Sequence, residues 1–489
     1  MPIDAKNKRY EAYENQWFKC RMTIEGEDAI KAADSINDTN RLDDRRFLPM
    51  LEGQTSKQYE KYKARALFYN ATGRTHQVLL GLVFRKDMVV DMPAGMDSFK
   101  NSVTASGENL DSFTRKCMDE MLAVSRGGVL VDFPQTDIID AEGRLITRTV
   151  DQVESMKIQP YFSFYNTESI INWKTTIINT EEVIEWIILK EVREEPQEDD
   201  PYVMEEIEVY RKLYINDSGW YTQEVHAKDE NNKYVVIEGP TTPLMNGKPL
   251  DYIPFFYFNG NNMSISEVKK PMLIDLVNIN ISHYHTSADN EHALHYTALP
   301  TAVITGIRES QRPDNEVFAI GSAAAWKLPE GATAFYLEFQ GHGLEPMANA
   351  MKDKEQMMAK VGARLLAGEK KAAEAAQTAQ INRSGESATL ADRANLVGMV
   401  ITKCLETARD WMGLEGEITV TMNTDYMPLM ADFQMVTALL NAWQMGGISY
   451  ETFYHNLQKG EYTIPNRTVE DEQGAIDREE PSITPVIEK

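Results

Sequence analysis

Between Ser266 and Trp411 the residue pattern admits few folds. It predicts a helix opening at Ser266, with Glu267 near its start and Pro271 early in it, and running to Leu299. A β-containing excursion follows over 300–342, then a second helix over 343–367, a small polar loop over 368–387 and a third helix to Trp411. The second helix sets Leu344, Met351, Met358 and Leu365 seven residues apart, with Met347 and Val361 between them. The third carries Leu390, Ala394, Val397, Ile401, Cys404, Ala408 and Trp411 at alternating four- and three-residue steps. Such spacing gives each of these helices one apolar seam.

Before this stretch, residues 1–46 are polar and helix-leaning with a turn near Gly26. SKQYEKYKARALFYNATGRTHQVLLGLVF then predicts one helix from an N-cap at Ser56. ENLDSFTRKCMDEMLAVS (108–125) predicts a helix with Leu110, Phe113, Cys117, Met121 and Val124 in phase. Arg126-Gly127-Gly128 reads as its stop, and VLVDFP as a short buried strand. From Pro160 to Phe258, strand-like runs alternate with turn-rich breaks, which predicts a mostly antiparallel sheet. The acidic EEPQEDD run reads as a solvated hairpin tip, since the Ca²⁺-loop spacing is missing. After Trp411, EGEITVTMN predicts a strand. Two short helices follow, the second capped by Ser449, and then an acidic, proline-containing end expected to fray. The fold class expected is α+β.

Composition narrows the chemistry. A formal net charge of −25 opposes tight, non-specific grip on nucleic acid, because that affinity comes from Lys and Arg displacing phosphate counterions. No run of about 18 apolar residues suggests a membrane span, and the polar start predicts action in the cytoplasm where the chain is made. Cys20, Cys117 and Cys404 lie far apart in sequence, which favours buried apolar use over a disulfide or zinc framework. No phosphate-loop motif accompanies Asp132, and no nucleophile elbow is present. No cofactor and no catalytic residue is therefore expected.

The sharpest constellation is histidine. His283, His285, His292 and His295 fall within one predicted helix, where His285, Asp289 and His292 share a face with His295 at its margin. A His-Asp-His metal site serving a metal-dependent enzyme is one alternative, although no His-Glu-x-x-His order supplies a general base. A channel-less capsid or tail structural protein is another. In GEKKAAEAAQTAQINRSGES, small side chains and a few cations make a loop able to touch a phosphate backbone weakly and without sequence readout, or else a plain helix–helix connection.

Several phrases carry a resemblance: FLPMLEGQTSKQYEKYKARALFYNATGRT with GLVFRK, RGGVLVDFP, YIPFFYFNG, NISHYHTSADNEHALHYTALPTAVITG and AEAAQTAQINRSGESATLADRANLV. The chain resembles portal proteins of tailed bacteriophages, within a subfamily long labelled as a domain of unknown function. That resemblance implies an N-terminal region and α/β wing over 1–265, a first stem helix over 266–299 and a β-rich clip over 300–342. It further implies a second stem helix over 343–367, a tunnel loop over 368–387, a long helix with a return strand over 388–422, and a helical crown with an acidic tail over 423–489. It implies a non-enzymatic ring of twelve subunits at one capsid vertex through which double-stranded viral DNA is packaged and ejected. Lys370, Lys371, Gln377, Gln380, Asn382 and Arg383 of the tunnel loop would face DNA. Arg308, Glu309, Arg312, Asp314 and Lys327 of the clip would dock the terminase large subunit and later a tail adaptor protein. The major capsid protein is a further implied partner, and the location is the virion, after assembly in host cytoplasm.

Overall fold

Local caps set most helix boundaries. The computed structural model describes residues 2–34, 47–134, 137–139, 145–147, 159–197, 200, 202–260, 262–264, 266–297, 301–306, 330–337, 343–366, 373–426, 433–460, 462–464 and 467–478. It combines helices and open sheets in two units, Met1–Thr424 and Asp425–Lys489. Asn7 accepts a hydrogen bond from the Arg9 amide (2.9 Å) and opens α1, Lys8–Glu25. Gly26, at φ 106°, ends α1 and starts α2, Glu27–Ala33, with no further residue between them.

Helix α3, Ser56–Arg65, begins with a capping box. The Thr55 amide donates to the Gln58 side chain (2.9 Å), and the Gln58 amide donates back to the Thr55 hydroxyl (3.4 Å). The cap is thus Thr55, and Ser56 is the first helical residue. The single helix expected over 56–84 is also divided. Ala66 turns to ψ 134°, and Asn70 accepts from the Gly73 amide (2.8 Å) to open α4, Ala71–Val83. A side chain that competes for backbone donors inside an amphipathic run starts a new helix there.

After β1, Val89–Asp91, and the single turn α5, Ser98–Asn101, Asn109 caps α6, Leu110–Val124. All five phased residues of α6 are buried. The stop is Ser125, in the left-handed region at φ 59°, so Arg126-Gly127-Gly128 open strand β2, Arg126–Asp132, instead of ending the helix. Those glycines serve packing: a Cβ on Gly127 would lie 2.4 Å from the Phe258 ring, and one on Gly128 2.3 Å from Phe255.

Strands β3, Asp137–Ile139, and β4, Leu145–Thr147, pair with each other. Strand β5, Tyr161–Asn166, leads through a 3-10 turn at Thr167–Ser169 into β6, Ile170–Ile178. With β7, Glu181–Pro196, β8, Met204–Ile215, β9, Tyr221–Lys228, and β10, Tyr234–Thr241, β6 forms an antiparallel sheet of order β10-β9-β8-β7-β6. Strands β11, Leu244–Met245, and β12, Lys248–Pro249, form a small ladder. Strand β13, Phe255–Asn259, flanks β2, giving the antiparallel order β13-β2-β5. Every residue of β2 is buried, the central Val129-Leu130-Val131 run together with Arg126 and Asp132 at its ends.

The long-helix region follows as α7, Ile274–Thr297; the antiparallel pair β14, Thr301–Thr305, and β15, Thr333–Leu337; then α8, Leu344–Leu366, and α9, Ala373–Trp411. Strand β16, Thr419–Thr421, returns to pair with β1. The C-terminal half of α9 packs on α6, β2 and β13, and its predicted seam from Leu390 to Trp411 is buried throughout. Cys117 and Cys404 are among these core residues, and burial pushes both thiols above their ordinary range.

The second unit holds α10, Phe433–Gln444, α11, Tyr450–Lys459, and α12, Val469–Ile476. Ser449 caps α11 by accepting from the Thr452 amide (3.1 Å), as its position predicted. Part of the end expected to fray is helical, because Thr468 caps α12 by accepting from the Asp471 amide (3.0 Å). Trp443 stacks on Phe453 at 5.1 Å, joining α10 to α11.

Candidate functional site: the helical hairpin and its anchorage

Helix α7 starts eight residues later than the sequence suggested. The stretch before it is non-helical, and Pro271 lies ahead of the helix, where its carbonyl accepts from the Ile274 amide (3.4 Å). A proline disfavours helical geometry in the residue before it, so the helix forms only beyond. The approach is pinned by Asn259, whose side chain donates to the Ser264 carbonyl (3.3 Å) and accepts from the Lys269 amide (3.2 Å).

Along α7 the polar residues make a graded set of attachments. Buried Asn280 accepts from the Thr72 amide (3.1 Å) and hydroxyl (2.9 Å) and donates to the Tyr69 carbonyl (2.8 Å), clamping the N-terminus of α4. Tyr284 is buried against Phe68. Further out, Tyr62 donates to Asp289 (2.5 Å) and sits edge-on to His292 at 5.2 Å, while Arg65 meets His295 at 3.0 Å.

Polar groups help tie α8 to α7. Lys354 donates to the Ser282 carbonyl (2.9 Å) and the Thr286 hydroxyl (2.5 Å), and Glu355 lies 3.4 Å from His283. Of the α8 seam predicted from the sequence, Met358 is buried among the described side chains, whereas Met357 beside it is 51% exposed. Gly362 lets α8 approach α4: a Cβ there would come within 3.0 Å of the Thr75 hydroxyl. Burial holds the His283 imidazole below its ordinary pKa, against the pull of Glu355.

The structure therefore does not gather His285, Asp289 and His292 around a common point. His285 bonds the Phe47 carbonyl, Asp289 takes the Tyr62 hydroxyl, and His292 packs on the Tyr62 ring. Among the described residues no group of three His, Cys, Asp or Glu could hold a metal. Asp132, likewise, is a packed carboxylate that accepts from the Phe133 amide (2.9 Å) and the Tyr161 hydroxyl (3.3 Å).

The expected loop over 368–387 is helical from Ala373 onward as the first turns of α9, and 368–372 lie outside the described residues, with Lys370 and Lys371. Ala373, Ala375, Ala376 and Ala379 explain the correction, since alanine is the strongest helix former and no proline interrupts them. Gln377, Gln380, Asn382 and Arg383 are thus helix positions. Arg308, Glu309, Arg312, Asp314 and Lys327 lie outside the described residues.

Sequence reading missed a buried charge network beneath the hairpin. Arg21 of α1 bonds Glu120 of α6 (2.7 Å) and Glu168 (2.5 Å), and Glu120 also accepts from the Thr167 amide (2.8 Å). Arg126, fully buried, donates to the Thr167 carbonyl (3.3 Å) and hydroxyl (3.2 Å). It lies over the rings of Trp173 (4.4 Å), Tyr257 (5.7 Å) and Trp17 (5.8 Å). Burial raises the Glu120 pKa against the pull of Arg21, and lowers that of Arg126. Arg21 offsets the two carboxylates, while Arg126 is held by the Thr167 and Ile170 oxygens and the three aromatic rings. The one signal in the sequence is an arginine opening an otherwise apolar strand.

A family model described as "Domain of unknown function (DUF4055)" matches residues 272–412, the hairpin and α9 together. Among curated proteins none matches this chain. Among solved structures, a chain from "Neck of empty GTA particle computed with C6 symmetry" aligns over 83% of this chain and 95% of its own length, at 10% identity and a TM-score of 0.39. A chain from "Virion of native gene transfer agent (GTA) particle" aligns over 83% and 94%, and one from "Neck of native GTA particle computed with C12 symmetry" over 79% and 89%, both at 10% identity and a TM-score of 0.37.

Proposed function

We propose that this chain is a portal-type subunit, a non-enzymatic component of a ring that conducts double-stranded DNA at one vertex of a phage-like capsid. The observation carrying this reading is the succession α7, β14–β15, α8, α9. Two helices of 24 and 23 residues are joined through a β pair and followed by a 39-residue helix, in the element order that the sequence resemblance implies. At 1.5 Å per residue α7 and α8 are each about 35 Å long. Twelve such hairpins side by side at roughly 10 Å spacing enclose a bore of about 28 Å, room for a duplex.

The charge supports the same role, since a wall with net charge −25 per subunit lets phosphate pass without gripping it. In this reading the region between β14 and β15 docks the terminase large subunit, which supplies ATP hydrolysis, and later a tail adaptor. On the same reading Lys370, Lys371, Gln377, Gln380, Asn382 and Arg383, in and just ahead of the first turns of α9, face the DNA, and the major capsid protein surrounds the ring. Negative-stain imaging of the purified full chain tests this: rings with a central hole are expected, and a compact monomer at all concentrations overturns it.

A further inference from the structure

Two of the histidines on α7 hold α3 by contacts that only a neutral imidazole can make. A guanidinium carries five N–H donors and no acceptor. The 3.0 Å contact between Arg65 Nη2 and His295 Nε2 is therefore donated by Arg65, and His295 accepts it with an unprotonated nitrogen. About one turn earlier, His292 sits edge-on to the Tyr62 ring at 5.2 Å. Burial, and then the nearby Arg65, hold the His292 imidazole below its ordinary pKa. The Tyr62 hydroxyl donates to Asp289 (2.5 Å), so Tyr62 and Arg65 of α3 meet three residues of α7 spaced three apart.

We propose that this cluster is an acid-released clasp: protons taken from water onto His295 and His292 remove the acceptor that Arg65 uses, set two imidazolium ions beside its guanidinium, and free the C-terminal turn of α3 from α7. The charged and titratable groups around the two imidazoles, among the described residues, are Tyr62 and Arg65 from α3 and Asp289 on α7, with Lys354 of α8 acting on Asp289. Lys63 of α3 turns instead to Glu60 (3.1 Å). Asp289 is one exposed carboxylate that already takes the Tyr62 hydroxyl, so it does not neutralise three neighbouring cations. The clasp is thus closed above the imidazole range, near 6.5, and opens as pH falls through it. The start of α3 stays docked throughout, because Tyr59 donates to the Leu48 carbonyl (2.7 Å), a buried bond without a group that titrates there. The device needs no second copy and no DNA, so it stands or falls apart from the conduit reading.

Hydrogen–deuterium exchange of the full chain at pH 7.5 and 5.5, corrected for the intrinsic exchange rate at each pH, tests this. Peptides over residues 61–69 should lose at least about tenfold in protection on acidification, while peptides from α6 change by less than about twofold. His292→Gln/His295→Gln keeps an amide oxygen able to accept from Arg65 but takes up no proton. In that variant the loss over 61–69 should shrink to about twofold or less. Arg65→Met removes the donor, so protection there should already be low at pH 7.5 and change little with pH. Equal protection of 61–69 at both pH values in the parent chain overturns the proposal. So does an equal loss in α6, which would mean that the whole body opens, or a glutamine variant that responds to acid as the parent does.

Discussion

Helix α6 and helix α8 are both amphipathic by sequence, yet they are buried to different degrees. In α6 the whole apolar face is buried, with β2, α9 and the Arg21–Glu120–Glu168–Arg126 network closed around it. In α8 Met358 alone of the described seam residues is fully buried, Leu344, Met347, Met351 and Val361 are half-buried, and Lys354 and the His283–Glu355 pair add polar ties to α7. The region around β2 is closed at every position of that strand, whereas the hairpin leaves most of its seam half-buried.

That contrast can be broken at three depths. Glu120→Ala has the largest effect: it strips Arg21 of a partner and orphans the Thr167 amide inside the core, and removing one member of a buried ion pair costs about 3–5 kcal/mol. Denaturant unfolding of the full chain should show this loss, and a change under about 1 kcal/mol would mean that water reaches the network. Asn280→Ala, at the junction of hairpin and body, should cost about 2 kcal/mol by leaving the Thr72 amide and Tyr69 carbonyl unsatisfied. Thr72→Val should remove much of the same energy without adding to it, which a double-mutant cycle reads.

The smallest effect belongs to the hairpin itself. Burial holds His283 neutral below its ordinary pKa, so the unfolded chain takes the proton first as pH falls. Its contribution is present above the unfolded value near 6.5 and is lost below it. Wild type should therefore lose more Tm between pH 7.5 and 5.5 than His283→Gln does, and equal losses would place the titration elsewhere.

What the sequence could reveal divides along the same line. The α6 face, the buried β2 strand, the antiparallel sheet of β6 to β10 and the α9 seam were readable because one period, 3.6 or 2, governed each of them. The division between α3 and α4 was not, since it turns on Asn70 capturing the Gly73 amide, a bond that no periodicity encodes. The loop expected at 368–387 failed for a related reason: small polar composition suits a loop, but the alanines from Ala373 favour helix. His285, Asp289 and His292 share a face of α7 as predicted, yet their partners are the Phe47 carbonyl and Tyr62 of α3, contacts made only in three dimensions. The charge network was hidden because Arg21, Glu168 and the segment holding both Glu120 and Arg126 lie far apart in the chain.

The continuity of α9 has a mechanical consequence. From Ala373 to Trp411 it is one helix without a proline, on the order of 58 Å long. Its far end is moored: Trp411 donates to the Leu244 carbonyl (3.1 Å) and stacks on Phe133, while Leu390 to Ala408 lie in the core. A push at the Ala373 end is therefore carried along one continuous helix to its moored end, where the body of the protein bears the force, and the Ser384-Gly385 pair is the one place in its first half suited to bend.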